Sequence, residues 1–340
     1  MGALRFVGPF LFAASIPAFY YLVGPWGPFL TVAALLAALI GAELVSDRGQ
    51  GPAVAEDVRL FRVLPNLYVP VQLGVIGWAV VVARDAGPAG FAALAVSVGV
   101  TTGVFGVLAA HELVHGHDRA ERFLGLVMLT GMSYRHFRVA HIFGHHRWAA
   151  TEHDPASARL GESFYAFLPR TVAAQFADAW GFETRRLHGG AIWNNRIARD
   201  VAAMLALYFA IAATLGPRSA GLFAGQSAVG IVVLELFNYI AHYGLTRKRR
   251  GRGHEPFTAA HSWNSSNALA NALIFNMGRH SCHHARPASS FERLEWVAAA
   301  PELPAGYAGS ILLALVPPLW RRVMDPAVQK LQTGISNAPA

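Results

Sequence analysis

Cysteine is nearly absent from this chain. Cys282 stands alone among 340 residues, so no disulfide can form within the chain and no four-cysteine iron or zinc site can be built. Any electron carrier held through cysteine must therefore be a separate protein. Charge is scarce too: Asp, Glu, Lys and Arg make up 14% of the residues, against about 25% in an ordinary soluble domain. Lys248 and Lys330 are the only lysines, so the formal net charge of +8 is carried by arginine. Those arginines lie beside apolar runs and form no soluble basic module, which argues against nucleic acid as a partner. No internal repeat and no low-complexity linker divides residues 1–340, which read as a single domain.

What the chain has in abundance is apolar sequence. It is 54% hydrophobic with a mean hydropathy of +0.36, the profile of a chain whose solvent is largely lipid. Apolar runs at about 5–22, 29–44, 64–82, 90–110, 201–215 and 222–241 predict six transmembrane helices, the fifth of them short. Val23-Gly24-Pro25-Trp26-Gly27-Pro28 reads as a tight turn with an interfacial tryptophan, so the first two runs form a retained hairpin and not a cleaved signal. Gly2 does not open a myristoylation signal, because Phe6 stands where Ser or Thr is required. Leu124 to Thr130 is apolar but too short to span, and reads as a re-entrant or interfacial helix; Gly309 to Trp320 reads as a dip into the interface.

Arginine sets the expected orientation. The connections after runs two, four and six are arginine-rich, including Arg48, Arg59 and Arg62 after the second and Arg247 to Arg252 after the sixth. Those after runs one, three and five are short and nearly uncharged. The positive-inside rule then puts both termini and the segments 111–200 and 242–340 in the cytoplasm. The expected fold class is an all-α integral membrane protein, six transmembrane helices under a cytoplasmic histidine-rich cap, with a bacterial inner membrane as the expected location.

Histidine is what the rest is organised around. His111-Glu112-Leu113-Val114-His115 follows the fourth run, and His141-Ile142-Phe143-Gly144-His145-His146 comes soon after. His242 ends the sixth run, and His280, His283 and His284 fall within six residues of sequence. On a helix, residues four apart share a face, so His111 and His115, and likewise His141 and His145, can converge. Any single histidine is more often a satisfied polar group than a ligand, and His117, His136, His153, His188, His254 and His261 have no spacing partner. Nine clustered imidazoles near helix ends are different, because polar rings in such places need compensation and are usually functional. They predict metal binding, with more than one ion.

Taken alone, His111 to His115 fits H-E-x-x-H, the zinc peptidase pattern in which Glu112 would activate water. That reading leaves seven clustered histidines without a task, since catalytic zinc takes three protein ligands. An all-nitrogen site with few carboxylates suits iron, copper or zinc, and a redox metal accounts for two ions held together in a membrane. Two irons can reduce dioxygen and attack an unactivated C–H bond, and the lipid setting supplies an apolar substrate. Chemistry alone does not separate an alcohol product from an alkene.

The same stretches resemble a family. His111 to His115, His141 to His146, Asn238-Tyr239-Ile240-Ala241-His242-Tyr243-Gly244-Leu245 and Arg279 to His284 are similar to the histidine boxes of the membrane-bound alkane 1-monooxygenases, within the wider membrane desaturase and hydroxylase superfamily. Asp154 to Ser157 with Gly161 to Ser163, His261 to Ser265, Leu303 to Tyr307 and Met324 to Pro326 extend the likeness over most of the chain from about Asp47. The resemblance implies a two-iron (non-haem di-iron) centre ligated by His111, His115, His141, His145, His146, His242, His280, His283 and His284. It also implies hydroxylation of a terminal alkane carbon with O2, and electrons delivered by rubredoxin, or a ferredoxin, from a reductase. No side chain acts as a catalytic nucleophile or base in this reading.

Three positions depart from the family's pattern. Ala140 and Ala241 stand where a glutamate commonly precedes the histidine, and Cys282 where aspartate is frequent. None removes a ligand, but lost carboxylates around the ligands can change ring orientation and iron potential. Xylene-type side-chain hydroxylation and acyl-chain desaturation therefore stay open. Glu112, Asp154 and Asn238 are the residues expected to accept ring N–H bonds from ligating histidines. Trp148 and Trp263 are candidates for a channel lining or for interfacial anchors.

Overall fold

The computed structural model describes residues 3–45, 58–116 and 118–333. Arg48 in the expected basic connection, and His117, expected to be no ligand, lie outside the described residues. Fifteen α-helical segments account for most of these residues, joined by turns and one two-residue antiparallel ladder, Arg249–Arg250 against Gly253–His254. The first two, α1 (Gly8–Val23) and α2 (Phe29–Val45), meet at the predicted Gly-Pro-Trp turn, where Gly24 at φ +110° takes a conformation other residues rarely adopt. Then come α3 (Val58–Val82) and α4 (Pro88–Thr101), which runs through a π-helical turn (Thr102–Gly106) into α5 (Val107–Val114).

Four helices among the described residues are long and apolar enough to cross a membrane: Phe61–Val82, Pro88–Val114, Arg196–Leu215 and Pro217–His242. The first two helices are apolar but have 16 and 17 residues. At 1.5 Å per residue that is about 24 to 26 Å, short of a ~30 Å hydrocarbon core. The central helix is Pro88–Val114, with 78% of its apolar window buried in protein, against 17% for Arg196–Leu215. It is therefore the helix that can carry functional side chains into the interior.

Boundaries differ from the sequence reading in a consistent way. The fourth run, expected at 90–110, extends through His111 to Val114, because the metal-type residues continue the helix instead of following it. The fifth, expected at 201–215, is α10 (Arg196–Leu215), and the sixth, expected at 222–241, is α11 (Pro217–His242). Hydropathy stopped short of α10's first turn because that turn is charged, but the Asn195 side chain caps it and Asp200 pairs with Arg135 at 2.7 Å. The apolar stretch Leu124–Thr130 belongs to the amphipathic α6 (Arg119–Gly131), opened by an Asp118 cap and packed on α5. Gly309–Trp320 is split between α14 (Gly306–Ala314) and α15 (Pro317–Gln332), with Trp320 fully buried in the core.

Close approach of α4 and α11 holds the interior together. A Cβ on Gly99 would lie 2.5 Å from Val229 Cβ, and one on Gly103 would lie 2.6 Å from the Gly230 carbonyl. Only glycine lets two long helices meet at that distance, and small residues serve the same purpose between membrane helices generally. The remaining elements gather at the end of these helices where α5 and α11 finish. They are α7 (Phe137–Val139), a second π-helical turn (Ala140–His145), α8 (His146–Trp148), the long α9 (Phe164–Leu187), α12 (Ala268–Leu273) and α13 (His280–Ala285).

Candidate metal centre

Each histidine-bearing element reaches the same place. His111 is buried in the last turn of α5 and His115 follows that turn; His141 and His145 sit on the second π-helical turn and His146 begins α8. His242 closes α11, and His280, His283 and His284 lie on α13. Their ring nitrogens form two groups. His111, His115, His141, His146 and His283 make one; His145, His242, His280 and His284 make the other; within each, the nitrogens lie within 4.8 Å of one another. Of the remaining histidines, none among the described residues joins either group.

The grouping departs from the spacing argument at one point. His141 and His145, four apart, were expected to converge; instead His141 pairs with His146, and His145 turns to the other group. The cause is the π-helical turn, whose i→i+5 bonding widens the helix and moves the next residue onto the shared face. His111 with His115, and His280 with His284, keep their four-residue pairing, while His283 crosses to the first group.

The contacts are those of a ligand set. The His146 Nε2 atom lies 3.1 Å from His115 Nε2, 2.9 Å from His141 Nε2 and 3.2 Å from His283 Nε2. One ring nitrogen carries at most one proton, so three such contacts cannot all be hydrogen bonds. In the second group, the Asp154 carboxylate fixes His145 Nδ1 at 2.9 Å and the His261 carbonyl accepts from His242 Nδ1 at 3.1 Å. That leaves His145 Nε2 and His242 Nε2 buried with no hydrogen-bond partner among the described residues, as is His111 at both nitrogens. Buried orphan nitrogens are costly unless something else holds them, and metal cations do so. The residues fit a metal centre. Burial, with the neighbouring rings adding to it, holds His141, His146, His280, His283 and His284 well below the usual imidazole range. Burial lowers His115 to about 4. Neutral imidazole is the form that binds metal, so protons compete weakly here.

The expected supporting residues divide. Asp154 is where the reading put it, bonded to His145 and in turn held by the Ser157 hydroxyl at 2.7 Å and the Ala156 N–H at 3.1 Å. Glu112 instead accepts the Phe291 N–H at 3.2 Å, and the Asn238 amide donates to Glu235 at 3.1 Å. Neither bonds a ring among the described residues: Glu112 is turned toward the 287–290 segment, and Asn238 faces a cavity. Sequence reasoning missed His261, which acts through its backbone carbonyl, and Glu235, which carries no spacing signal. Trp263 is neither channel wall nor surface anchor: it is buried, and its Nε1–H donates to the Tyr243 carbonyl at 2.9 Å. Trp148 lines an open groove with Phe143 and Phe182 on the outer side of the π-helical turn.

Beside both groups lies a largely apolar cavity. Gly103, Val104, Val107 and Leu108 form one wall and Leu234, Phe237 and Met277 the other, with His111, His141 and His280 at the histidine end. Ala241 opens onto this cavity, and Ala140 packs with Val139, Ala179 and Ile197. The Cys282 thiol is buried and accepts the Glu295 N–H at 3.4 Å. The three departures thus remove carboxylates without opening the ligand sets.

The fatty acid desaturase family model matches residues 87–311. Alkane 1-monooxygenase 2 of Pseudomonas aeruginosa is 38% identical over 81% of this chain and 75% of its own length. Alkane 1-monooxygenase of Acinetobacter baylyi is 40% identical over 69% of this chain and 59% of its own length. The chain belongs to the membrane-bound alkane 1-monooxygenase family. More distant is the hydroxylase component of the xylene/toluene monooxygenase of Pseudomonas putida, 26% identical over 75% of this chain and 70% of its own length. This family member is an oxidoreductase, a metal-binding monooxygenase integral to a membrane.

Proposed function

We propose that this single-domain protein hydroxylates the terminal carbon of an alkane, or a similar apolar hydrocarbon, to a primary alcohol. It uses O2 at a centre of two irons, one for each histidine group. The observation that carries the reading is the pairing of two largely buried imidazole groups with one apolar cavity that touches both. Iron there would supply the activation of O2 that an unactivated C–H bond requires. The chain's own part is to hold, orient and exclude water. Asp154 fixes His145, the His261 carbonyl fixes His242, and Val104, Val107, Leu108, Leu234 and Phe237 give a hydrocarbon a dry wall against His111 and His280. Electrons come from outside, through a rubredoxin or ferredoxin and its reductase, since Cys282 cannot hold a cluster alone.

In this reading all six apolar helices cross a bacterial inner membrane, α1 and α2 with help from a locally thinned bilayer, and the metal centre and both termini face the cytoplasm. The zinc peptidase reading is disfavoured because five histidines converge in the group that holds His111 and His115, where catalytic zinc takes three protein ligands, and because the Glu112 carboxylate is engaged by the Phe291 N–H. Side-chain hydroxylation of a xylene is the second reading, favoured by the likeness to the xylene/toluene enzyme. Cells co-expressing the chain with a rubredoxin and its reductase, given octane, hexadecane and p-xylene under air, separate the two. A primary alkanol is expected. A benzylic alcohol alone transfers the chain to aromatic side-chain chemistry, an alkene transfers it to desaturation, and no product despite iron-loaded membranes removes the substrate assignment.

A further inference from the structure

One turn before Asn238, α11 carries a carboxylate that the metal centre does not use. Glu235 is fully buried and forms no ion pair among the described residues. Its Oε1 accepts from the Tyr134 hydroxyl at 2.9 Å and the Gln175 amide at 2.8 Å; its Oε2 accepts from the Thr171 hydroxyl at 3.2 Å and the Asn238 amide at 3.1 Å. A buried carboxylate with no cation is costly, and four neutral donors are its compensation. A fully satisfied network of this kind also fixes the groups that make it up.

Asn238 is the member that leaves the network. Asn238 also lines the cavity, together with His111 and His141 of one histidine group and His280 of the other. Apart from those three rings, only Asn238 and Tyr307 bring polar side chains to the lining. An amide offers two N–H donors and one carbonyl. With one N–H committed to Glu235 the amide cannot turn over, so its second N–H and its carbonyl are presented in one sense only.

We propose that Asn238 hydrogen-bonds the reacting oxygen in this cavity, and that Glu235 is the positioning residue that sets the sense of its amide. The inference rests on the monooxygenase reading above and deepens it. In that reaction a hydrocarbon, O2, two protons and two electrons from a one-electron carrier give an alcohol and water. The C–H and O–O bonds break, a C–O bond forms, and the second oxygen atom leaves as water. Oxygen that is not held departs early as hydrogen peroxide, which consumes the same two electrons and two protons and makes no alcohol. Loss of the positioned amide therefore appears as uncoupling.

Two variants and two readouts test this. Glu235→Gln keeps the shape but puts an NH2 group in place of an oxygen on which two donors now converge, and Asn238→Leu removes the amide at similar volume. Each should lower alcohol formed per reductant oxidised by roughly tenfold or more, the scale on which a single positioned donor acts. Peroxide should rise to match, and iron content should stay at the wild-type level. The second readout needs no turnover: the infrared band of azide added to iron-loaded resting protein should move in both variants, to a common position. Unchanged coupling with an unchanged band overturns the proposal. Should Glu235→Gln not accumulate in membranes, Asn238→Leu decides alone, because it leaves three of the four donors to Glu235 in place. Should the wild type oxidise no hydrocarbon, the functional reading falls while the azide comparison still decides the positioning: one band shared by all three proteins overturns it.

Discussion

His145 and His146 are neighbours in sequence and serve different histidine groups. Their ring environments differ accordingly. His145 Nδ1 is held by Asp154, itself bonded to the Ser157 hydroxyl and the Ala156 N–H, whereas His146 Nδ1 has no partner among the described residues and its Nε2 meets three other rings. Asp154 should therefore matter to one group only. Asp154→Ala is expected to weaken metal binding at the His145 group by roughly 10–100-fold, the usual effect of removing the partner of a ligating histidine. Metal analysis after a chelator challenge checks it: about half the iron should be lost while the group containing His146 and His283 keeps its share. His283→Ala should lose the other share, and His188→Ala, altering an exposed helix-ending residue at φ +47°, should lose none. Equal retention in Asp154→Ala and the wild type separates Asp154 from the metal. At this scale the convergence of the nine histidines was legible, because imidazoles clustered at helix ends have few other uses. Their supports were legible only where a side chain acted: His261 works through its carbonyl, which any residue type would supply, and no sequence pattern marks it.

Elements were legible where periodicity and hydropathy agree, and illegible where a helix changes pitch. The two π-helical turns, Thr102–Gly106 and Ala140–His145, fall within stretches whose apolar pattern is that of an ordinary helix. Each adds a residue to a turn and so rotates everything after it, which is why the four-residue rule misassigned His145. The first turn also lies where α4 meets α11, and the tightness of that contact gives a prediction. A side chain at Gly103 would drive into the Gly230 carbonyl and the Val233 Cβ, both under 3 Å from the added carbon, whereas Gly144 in the second turn has nothing within 4 Å among the described residues. Gly103→Val should cost about 1–3 kcal/mol as an overpacked site, and displace His111 with the helix that carries it. Gly144→Ala should be close to neutral in packing. Thermal unfolding in detergent together with iron content reads both; a Gly103→Val protein with wild-type melting and full iron would show that the helices separate without consequence for the site.

At the scale of the whole molecule, the two long helices that carry histidine in their last turn, Pro88–Val114 and Pro217–His242, finish on the same side, and the turns that begin them are linked at the other. The Arg218 guanidinium, at the start of the second, donates to the Ala83 and Ala86 carbonyls in the turn before the first. That turn, 83–87, and the hairpin 249–254 therefore stand at opposite ends of the helices. Charge argues for a direction: Arg247, Lys248, Arg249, Arg250 and Arg252 crowd the histidine end, while the opposite end carries Arg84, Asp85 and Arg218, a net of one positive charge. Translocating the histidine end would carry that basic cluster across the bilayer, and juxtamembrane lysines and arginines favour the cytoplasmic side. Site-directed labelling can test this cleanly, because the one native thiol, Cys282, is buried. Cysteine placed at Gly87 should react with a membrane-impermeant maleimide in intact cells. Cysteine placed at Gly251 should react only after the membrane is opened. Among the described residues both glycines have open space around them; Gly251 stands at φ +59°, so a cysteine there strains its exposed turn without meeting a neighbour. Labelling at 251 in intact cells would put the metal centre outside the cytoplasm, away from any cytoplasmic electron carrier, and the donor proposed for this monooxygenase would have to be replaced by one on the other side.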